Sequence, residues 1–124
     1  MIDAEQRTAA TGAATTGPVT LINSFRVPAG RDDAFRELWE RTSHYFTRQP
    51  GFRSLRLHRA VSDDAAYRWV NVATWESESA FRAAHATAEF REVVTAPGWE
   101  EFPSTPVLFE VVTQVGGEVD TGAG

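Results

Sequence analysis

The chain has 124 residues and a formal net charge of -5, which suits one domain with one core and leaves no room for a cofactor-binding domain beside a catalytic one. The acidic balance argues against nucleic acid or an anionic membrane as partner, and the absence of cysteine excludes disulfides, thiolate metal sites and cysteine nucleophiles. No apolar run approaches the roughly 18 residues needed to span a bilayer, and the amino terminus lacks the charged-then-apolar order of a signal peptide, so a cytoplasmic protein is expected.

Residues 1–17 are rich in small and polar types and read as a flexible arm; 116–124 read the same way as a tail, leaving a domain over 18–115. The first strand is expected over 19–27, with Leu21, Asn23, Phe25 and Val27 on one face and Thr20, Ile22, Ser24 and Arg26 on the other. Asn23 is thus an amide in mid-strand on an apolar face. Pro28-Ala29-Gly30 breaks the strand, and Asp32 and Asp33 then place negative charge where a helix dipole favours it. Phe35, Leu38, Trp39, Thr42, Tyr45 and Phe46 recur at spacings of three and four, which predicts one stripe on a helix over 31–48, ended by Pro50-Gly51. Trp39 and Tyr45 read first as core filler, although each carries a polar tip that can aim into a cavity. His44 lies beside the stripe and is expected in solvent.

A second strand over 52–60 puts Leu55 and Leu57 on one face and Phe52, Ser54, Arg56 and His58 on the other, the mixed pattern of an edge. Ser62-Asp63-Asp64-Ala65 turns the chain into 67–75, which returns antiparallel. This third strand organises the rest, because it is apolar through its middle on both faces and so reads as central. One face carries Tyr67, Trp69, Asn71, Ala73 and Trp75. Asn71 between two tryptophans must find hydrogen-bond partners or leave a costly unpaired group, on the order of 1–3 kcal/mol. Satisfaction by neighbouring backbone is the simpler reading.

Ser77 is then a plausible N-cap, and Ala80, Phe81, Ala84, His85 and Ala88 give the stripe of a second helix with His85 on its buried side, followed by a short helical piece to Val94. Ala96-Pro97-Gly98 breaks it, Trp99 and Phe102 anchor a loop, and a last strand is expected over 107–113. Strand, helix, strand, strand, helix, strand with right-handed crossovers predicts a ferredoxin-like α+β fold, an antiparallel sheet in the order 4-1-3-2 with both helices on one face. Asn23 and Asn71 then fall on adjacent central strands, with His85 brought over the same side. Ile22, Val70, Val72, Leu108 and Val112 are expected on the uncovered face, where a homodimer packed sheet to sheet would bury them.

Phe25 to Gly30, Gln49-Pro50-Gly51-Phe52, Asn71 to Ser77 and Ala80-Phe81-Arg82 together resemble the antibiotic-biosynthesis monooxygenase family. The resemblance covers about 18–112 and implies a dimeric α+β barrel, a superfamily that spans quinone-forming oxygenases, heme-degrading enzymes, isomerases and proteins of no known activity. The family's cofactor-independent anthrone oxygenases are similar at Asn71 and Trp75, but carry a tyrosine where this chain has Phe81; Tyr45 or Tyr67 would have to substitute. The long amino-terminal match and the 99–102 segment look most like the angucycline ring-opening oxygenases of aromatic polyketide pathways.

No glycine-rich turn between strand and helix offers a flavin or nicotinamide site. Dioxygen is expected as co-substrate with no bound cofactor and no metal; a separate flavin reductase stays open as the supplier of reduced substrate. An electron-rich phenol or hydroquinone can reduce dioxygen once deprotonated, and the protein must supply a dry slot, a base and donors to the developing oxyanion. The candidates are Asn71 and Trp75 as donors, His85 or His58 as base near its ordinary pKa of about 6.5, and Asn23 as orienting group. Trp39, Tyr45, Tyr67, Trp69 and Phe81 are the candidate walls. Asn23, Trp75 and His85 also resemble residues of the noncanonical heme oxygenases, which makes heme degradation the alternative chemistry and a non-catalytic carrier of a pathway intermediate the alternative class.

Overall fold

The computed structural model describes residues 17–116, and the arm and tail expected outside that span lie beyond the described residues. Four strands and three α-helices alternate: β1 (Val19–Phe25), α1 (Asp32–Thr47), β2 (Phe52–Arg59), β3 (Trp69–Trp75), α2 (Glu78–Ala84), α3 (Ala88–Val94) and β4 (Ser104–Phe109), with a 3₁₀ turn at Trp99–Glu101. The sheet order is β2-β3-β1-β4, every pairing antiparallel, which is the ferredoxin-like arrangement the element order predicts.

Register places the chemistry. Asn23 lies opposite Asn71, and their row continues outward to Leu57 on β2 and Pro106 on β4. The neighbouring rows on the same face are Leu55, Ala73, Leu21 and Leu108 on one side, and Arg59, Trp69, Phe25 and Ser104 on the other. Two separate apolar clusters result. One gathers Val19, Leu21, Ala73, Trp75, Phe81 and Ala84; the other gathers Phe25, Val27, Phe35, Leu38, Trp69 and Phe102. The amide row falls between them because period-two alternation carries Asn23 and Asn71 inward with their apolar neighbours.

The connections explain themselves locally. Ser77 Oγ accepts from Ala80 N–H at 3.0 Å to start α2, and Thr87 Oγ1 accepts from Phe90 N–H at 2.9 Å to start α3, so the expected single stripe is two short helices with a break at His85. Gly51 has φ +84, and a Cβ there would collide with that of Ala80, so the chain passes from α1 to β2 where glycine alone fits.

Three expectations of register are corrected. A bulge between Phe52 and Ser54 turns Phe52 onto the helix-covered face, where it packs edge-on against Trp75 at 5.6 Å rather than pointing outward. The last strand runs 104–109 instead of 107–113, and Leu108 pairs with Leu21 and joins the core. Val107 and Phe109 therefore face outward, at 40% and 48% exposure, with Ile22 and Val72 in register beside Val107; Val112 lies beyond the sheet. A one-residue slip exchanges the faces, and a run apolar at every position cannot reveal it.

Candidate active site

Between the two clusters is a cavity of about 580 Å³. Its base is the sheet row of Asn23 and Asn71 with Leu21, Phe25 and Leu55 beside them, and its walls are Trp39 and Phe46 from α1, His85 after α2, Phe90 from α3, and Trp99 and Phe102. Thr42 and Ser43 interrupt the apolar stripe of α1 over this space, and Trp99 Nε1 donates to Thr42 Oγ1 at 3.1 Å, fixing the indole at the rim. This suits a site for a flat, mostly apolar molecule with a few fixed polar contacts.

Asn71 is buried, and among the described residues Oδ1 of Asn71, Oδ1 of Asn23 and Nε1 of Trp75 are buried without a hydrogen-bond partner. Satisfaction of Asn71 by backbone is therefore not what the fold provides at that atom. Each orphaned buried group costs on the order of 1–3 kcal/mol.

His85 caps α2, with Nδ1 2.7 Å from the Phe81 carbonyl oxygen, so Nδ1–H donates there and Nε2 is left for the cavity that the residue lines. The ring sits 4.1 Å from Phe81, 4.8 Å from Phe90 and 5.2 Å from Phe46. Burial among these rings lowers its pKa to about 4, against the small opposing pull of the Phe81 carbonyl. The expectation of a base titrating near 6.5 is thus corrected: the imidazole is neutral across the physiological range.

Of the expected site residues, Asn23, Trp39, Asn71 and His85 meet at the cavity. Trp75 does not line it but lies behind the wall, 6.0 Å from His85 and 6.2 Å from Phe46 by ring centroids. His58 is excluded by alternation, since it pairs with Val70 on the opposite face. The Tyr45 hydroxyl donates to the Ala84 carbonyl and meets Thr87 Oγ1 at 2.6 Å, so its polar tip joins α1 to α2 and α3 and does not enter the cavity. Tyr67 precedes β3 and lies under the Arg26 guanidinium, 4.6 Å from the ring, away from the site. Trp69 packs 5.5 Å from Phe35 with its N–H on Asp32, and Phe81 is fully buried beside Trp75; neither lines the cavity. The roles of Phe46, Phe90, Trp99 and Thr42 went unread, although a threonine and serine interrupting an aromatic stripe is a signal a sequence can carry.

Among the described residues no group of three His, Asp or Glu is placed to hold a metal ion, and no helix is long and apolar enough to cross a membrane.

The profile of the family described as antibiotic biosynthesis monooxygenase matches residues 18–96. Deoxynogalonate monooxygenase from Streptomyces nogalater is 40% identical over 78 residues, 63% of this chain and 64% of the relative, so the match spans less than two thirds of that protein. The crystal structure of SnoaB, a cofactor-independent oxygenase from the same organism, superposes with a TM-score of 0.68 at 33% identity, over 80% of this chain and 97% of the other. A variant of MhuD with two manganese protoporphyrins bound per active site superposes with a TM-score of 0.65 at 29% identity, over 80% and 99%.

Proposed function

The chain belongs to the antibiotic biosynthesis monooxygenase family, and from that premise we propose that it is an oxidoreductase that uses dioxygen, without a bound metal or flavin, to oxidise an aromatic polyketide phenol or hydroquinone. The observation that carries this reading is the pair of opposed amides, Asn23 and Asn71, at the base of an aromatic-walled cavity, each with an Oδ1 that has no hydrogen-bond partner. The likeness to a cofactor-independent oxygenase supports it.

In this reading Trp39, Phe46 and Trp99 hold the rings, Asn23 orients one polar edge, and neutral His85 accepts a hydrogen bond from a substrate hydroxyl through Nε2. Asn71 donates to the oxygen on which charge develops. The substrate hydroxyl gives its proton to His85 Nε2, and the anion passes one electron to dioxygen. The resulting radical pair joins in a C–O bond, and the proton returns from His85 to the outer peroxide oxygen. Loss of the remaining proton on that carbon, with cleavage of the O–O bond, leaves a carbonyl and releases water. The substrate gives up two hydrogens and gains one oxygen atom, so no outside reductant is consumed. Oxidative ring opening, as in the angucycline oxygenases the chain resembles, is the alternative outcome at the same site. Oxygen uptake with a reduced anthrone tests the proposal: consumption that survives exhaustive chelation supports it, and turnover lost to chelation and restored by one metal refutes it.

Heme is the second reading, favoured by one observation: His85 offers a neutral Nε2 into the cavity, the protonation state an iron ligand needs. There His85 would hold the iron and Asn23 would face the macrocycle, while heme supplies the oxygen-activating chemistry. A Soret band on adding hemin to wild type, absent in His85→Ala, would favour it over the phenol reading.

The proposed assembly is a homodimer through the sheet face of Ile22, Val72, Val107 and Phe109, which no helix covers. Val72→Asp would bury an unpaired charge there and shift the protein to monomer or unfold it, as light scattering at micromolar concentration would record. A wild-type monomer at that concentration would sink the assembly.

A further inference from the structure

Tyr45 is buried on α1, at 2% exposure, and its hydroxyl bridges the break between α2 and α3. Tyr45 O–H donates to the carbonyl oxygen of Ala84, the last residue of α2, so the 2.6 Å contact with Thr87 Oγ1 runs from the threonine hydroxyl to the tyrosine oxygen. Thr87 Oγ1 in turn accepts from Phe90 N–H at 2.9 Å and starts α3. The bonds form one chain, from Phe90 through Thr87 and Tyr45 to Ala84, in which each hydroxyl accepts once and donates once. Ala84 and Thr87 stand on either side of His85, which lines the cavity.

Helices α2 and α3 have seven residues each, too few to hold a direction without tertiary contacts. The bond from His85 Nδ1 to the Phe81 carbonyl sets the tautomer, but it ties the ring only to its own helix. The Tyr45 hydroxyl ties that helix end to α1, whose Trp39, Thr42 and Phe46 form the facing wall of the cavity. Phenylalanine would fill nearly the same volume; the hydroxyl is what crosses between the helices. We propose that Tyr45 is a positioning residue for the reaction, its hydroxyl clamping the α2–α3 turn so that His85 Nε2 is presented to the substrate and the ring stays packed against Phe46 and Phe90. The proposal rests on the reading of the cavity as an oxygenase site with His85 as its base. The imidazole meets Phe46 of α1 at 5.2 Å, Phe90 of α3 at 4.8 Å and Trp75 of β3 at 6.0 Å. Among the described residues Arg82, paired with Glu78 at 2.8 Å, is the charged side chain acting on it. Releasing the clamp exchanges aromatic surroundings for water, which raises the His85 pKa from about 4 toward its ordinary value.

Tyr45→Phe tests this with two readouts: the His85 pKa, followed by NMR of the ring protons without substrate, and steady-state oxygen uptake on a reduced anthrone. His85 should titrate about one pH unit or more above its wild-type value, and kcat should fall about tenfold or more with KM within about twofold. Thr87→Ser keeps the hydroxyl and should match wild type in both readouts. Thr87→Val should reproduce Tyr45→Phe, and it carries the test should Tyr45→Phe fail to fold. Trp69→Phe, which loses the bond from another buried ring to Asp32, should move neither readout, separating the clamp from general loss of stability. An unmoved His85 pKa in folded Tyr45→Phe and Thr87→Val overturns the clamp, and a moved pKa with kcat unchanged overturns its role in the reaction. Wild type that takes up no oxygen while the variants still move the pKa overturns the oxygenase reading and leaves the clamp supported.

Discussion

Trp69 and Trp75 stand at opposite ends of β3, on the same face, at 5% and 1% exposure. Trp69 donates its indole N–H to Asp32 Oδ1 at 3.3 Å, and Asp32 is fixed in turn by Arg68 at 2.8 Å, whose guanidinium holds that carboxyl below its ordinary pKa. Trp75 Nε1 has no partner among the described residues, nor has Oδ1 of Asn71 four residues before it. A fold that satisfies one indole with an ion pair and leaves its twin bare differs at the two ends in purpose. The Trp69 end is closed by its own hydrogen bonds; between it and Trp75 the amide row of Asn23 and Asn71 forms the base of the cavity, and Trp75 backs the wall with its indole N–H left bare. An orphaned donor is a standing cost to stability, and such costs concentrate where function needs them.

The most severe way to break this contrast is at the amide row. Asn71→Ala should lower turnover by about 10²–10³, the range for loss of an oxyanion donor, with the unfolding midpoint nearly unchanged because the removed atoms border existing space. Trp75→Phe should lower it severalfold at most, because the ring backs the His85 and Phe46 wall and does not line the cavity. Unfolding of Asn71→Ala would instead reassign the amide to structure.

His85 sharpens the contrast through pH. Its pKa is lowered from 6.5 to about 4 by burial, so above pH 6.5 folded and unfolded states are both neutral there and its contribution to stability is whole. As pH falls through 6.5 toward 4 the unfolded state takes up the proton first, and stability drops by on the order of 3 kcal/mol, levelling below the folded pKa. His85→Phe should flatten that part of the stability profile relative to wild type, as denaturant titrations at stepped pH will read. Turnover should hold from pH 8 to about 5; an acid limb near 6.5 would mean that the ring is hydrated and basic.

The smallest effect is expected at the closed end. Trp69→Phe should leave turnover within twofold and cost about 1 kcal/mol, one hydrogen bond to a charged group that keeps its other partner.

The sheet order and the meeting of Asn23, Asn71 and His85 were legible because they follow from alternation and from the handedness of crossovers, which sequence carries. The contrast between the tryptophans was not, since both occupy equivalent positions in the pattern and only the start of α1 supplies Asp32 to one of them. Tyr45 and Tyr67 misled for a related reason: a hydroxyl goes to whichever acceptor or cation the tertiary fold brings near. His58 alternates with Leu55 and Leu57, so its outward direction was already written in the strand. The register of β4 was hidden by apolar residues at consecutive positions and by Pro106, which an edge strand tolerates.

Oxygen consumption by chelator-treated wild type, Asn71→Ala and Trp69→Phe, assayed side by side on one reduced anthrone, tests the central claim most directly. The account predicts uptake of one dioxygen per substrate by wild type and Trp69→Phe, and a loss of at least tenfold in folded Asn71→Ala. Equal rates in the two variants would contradict it.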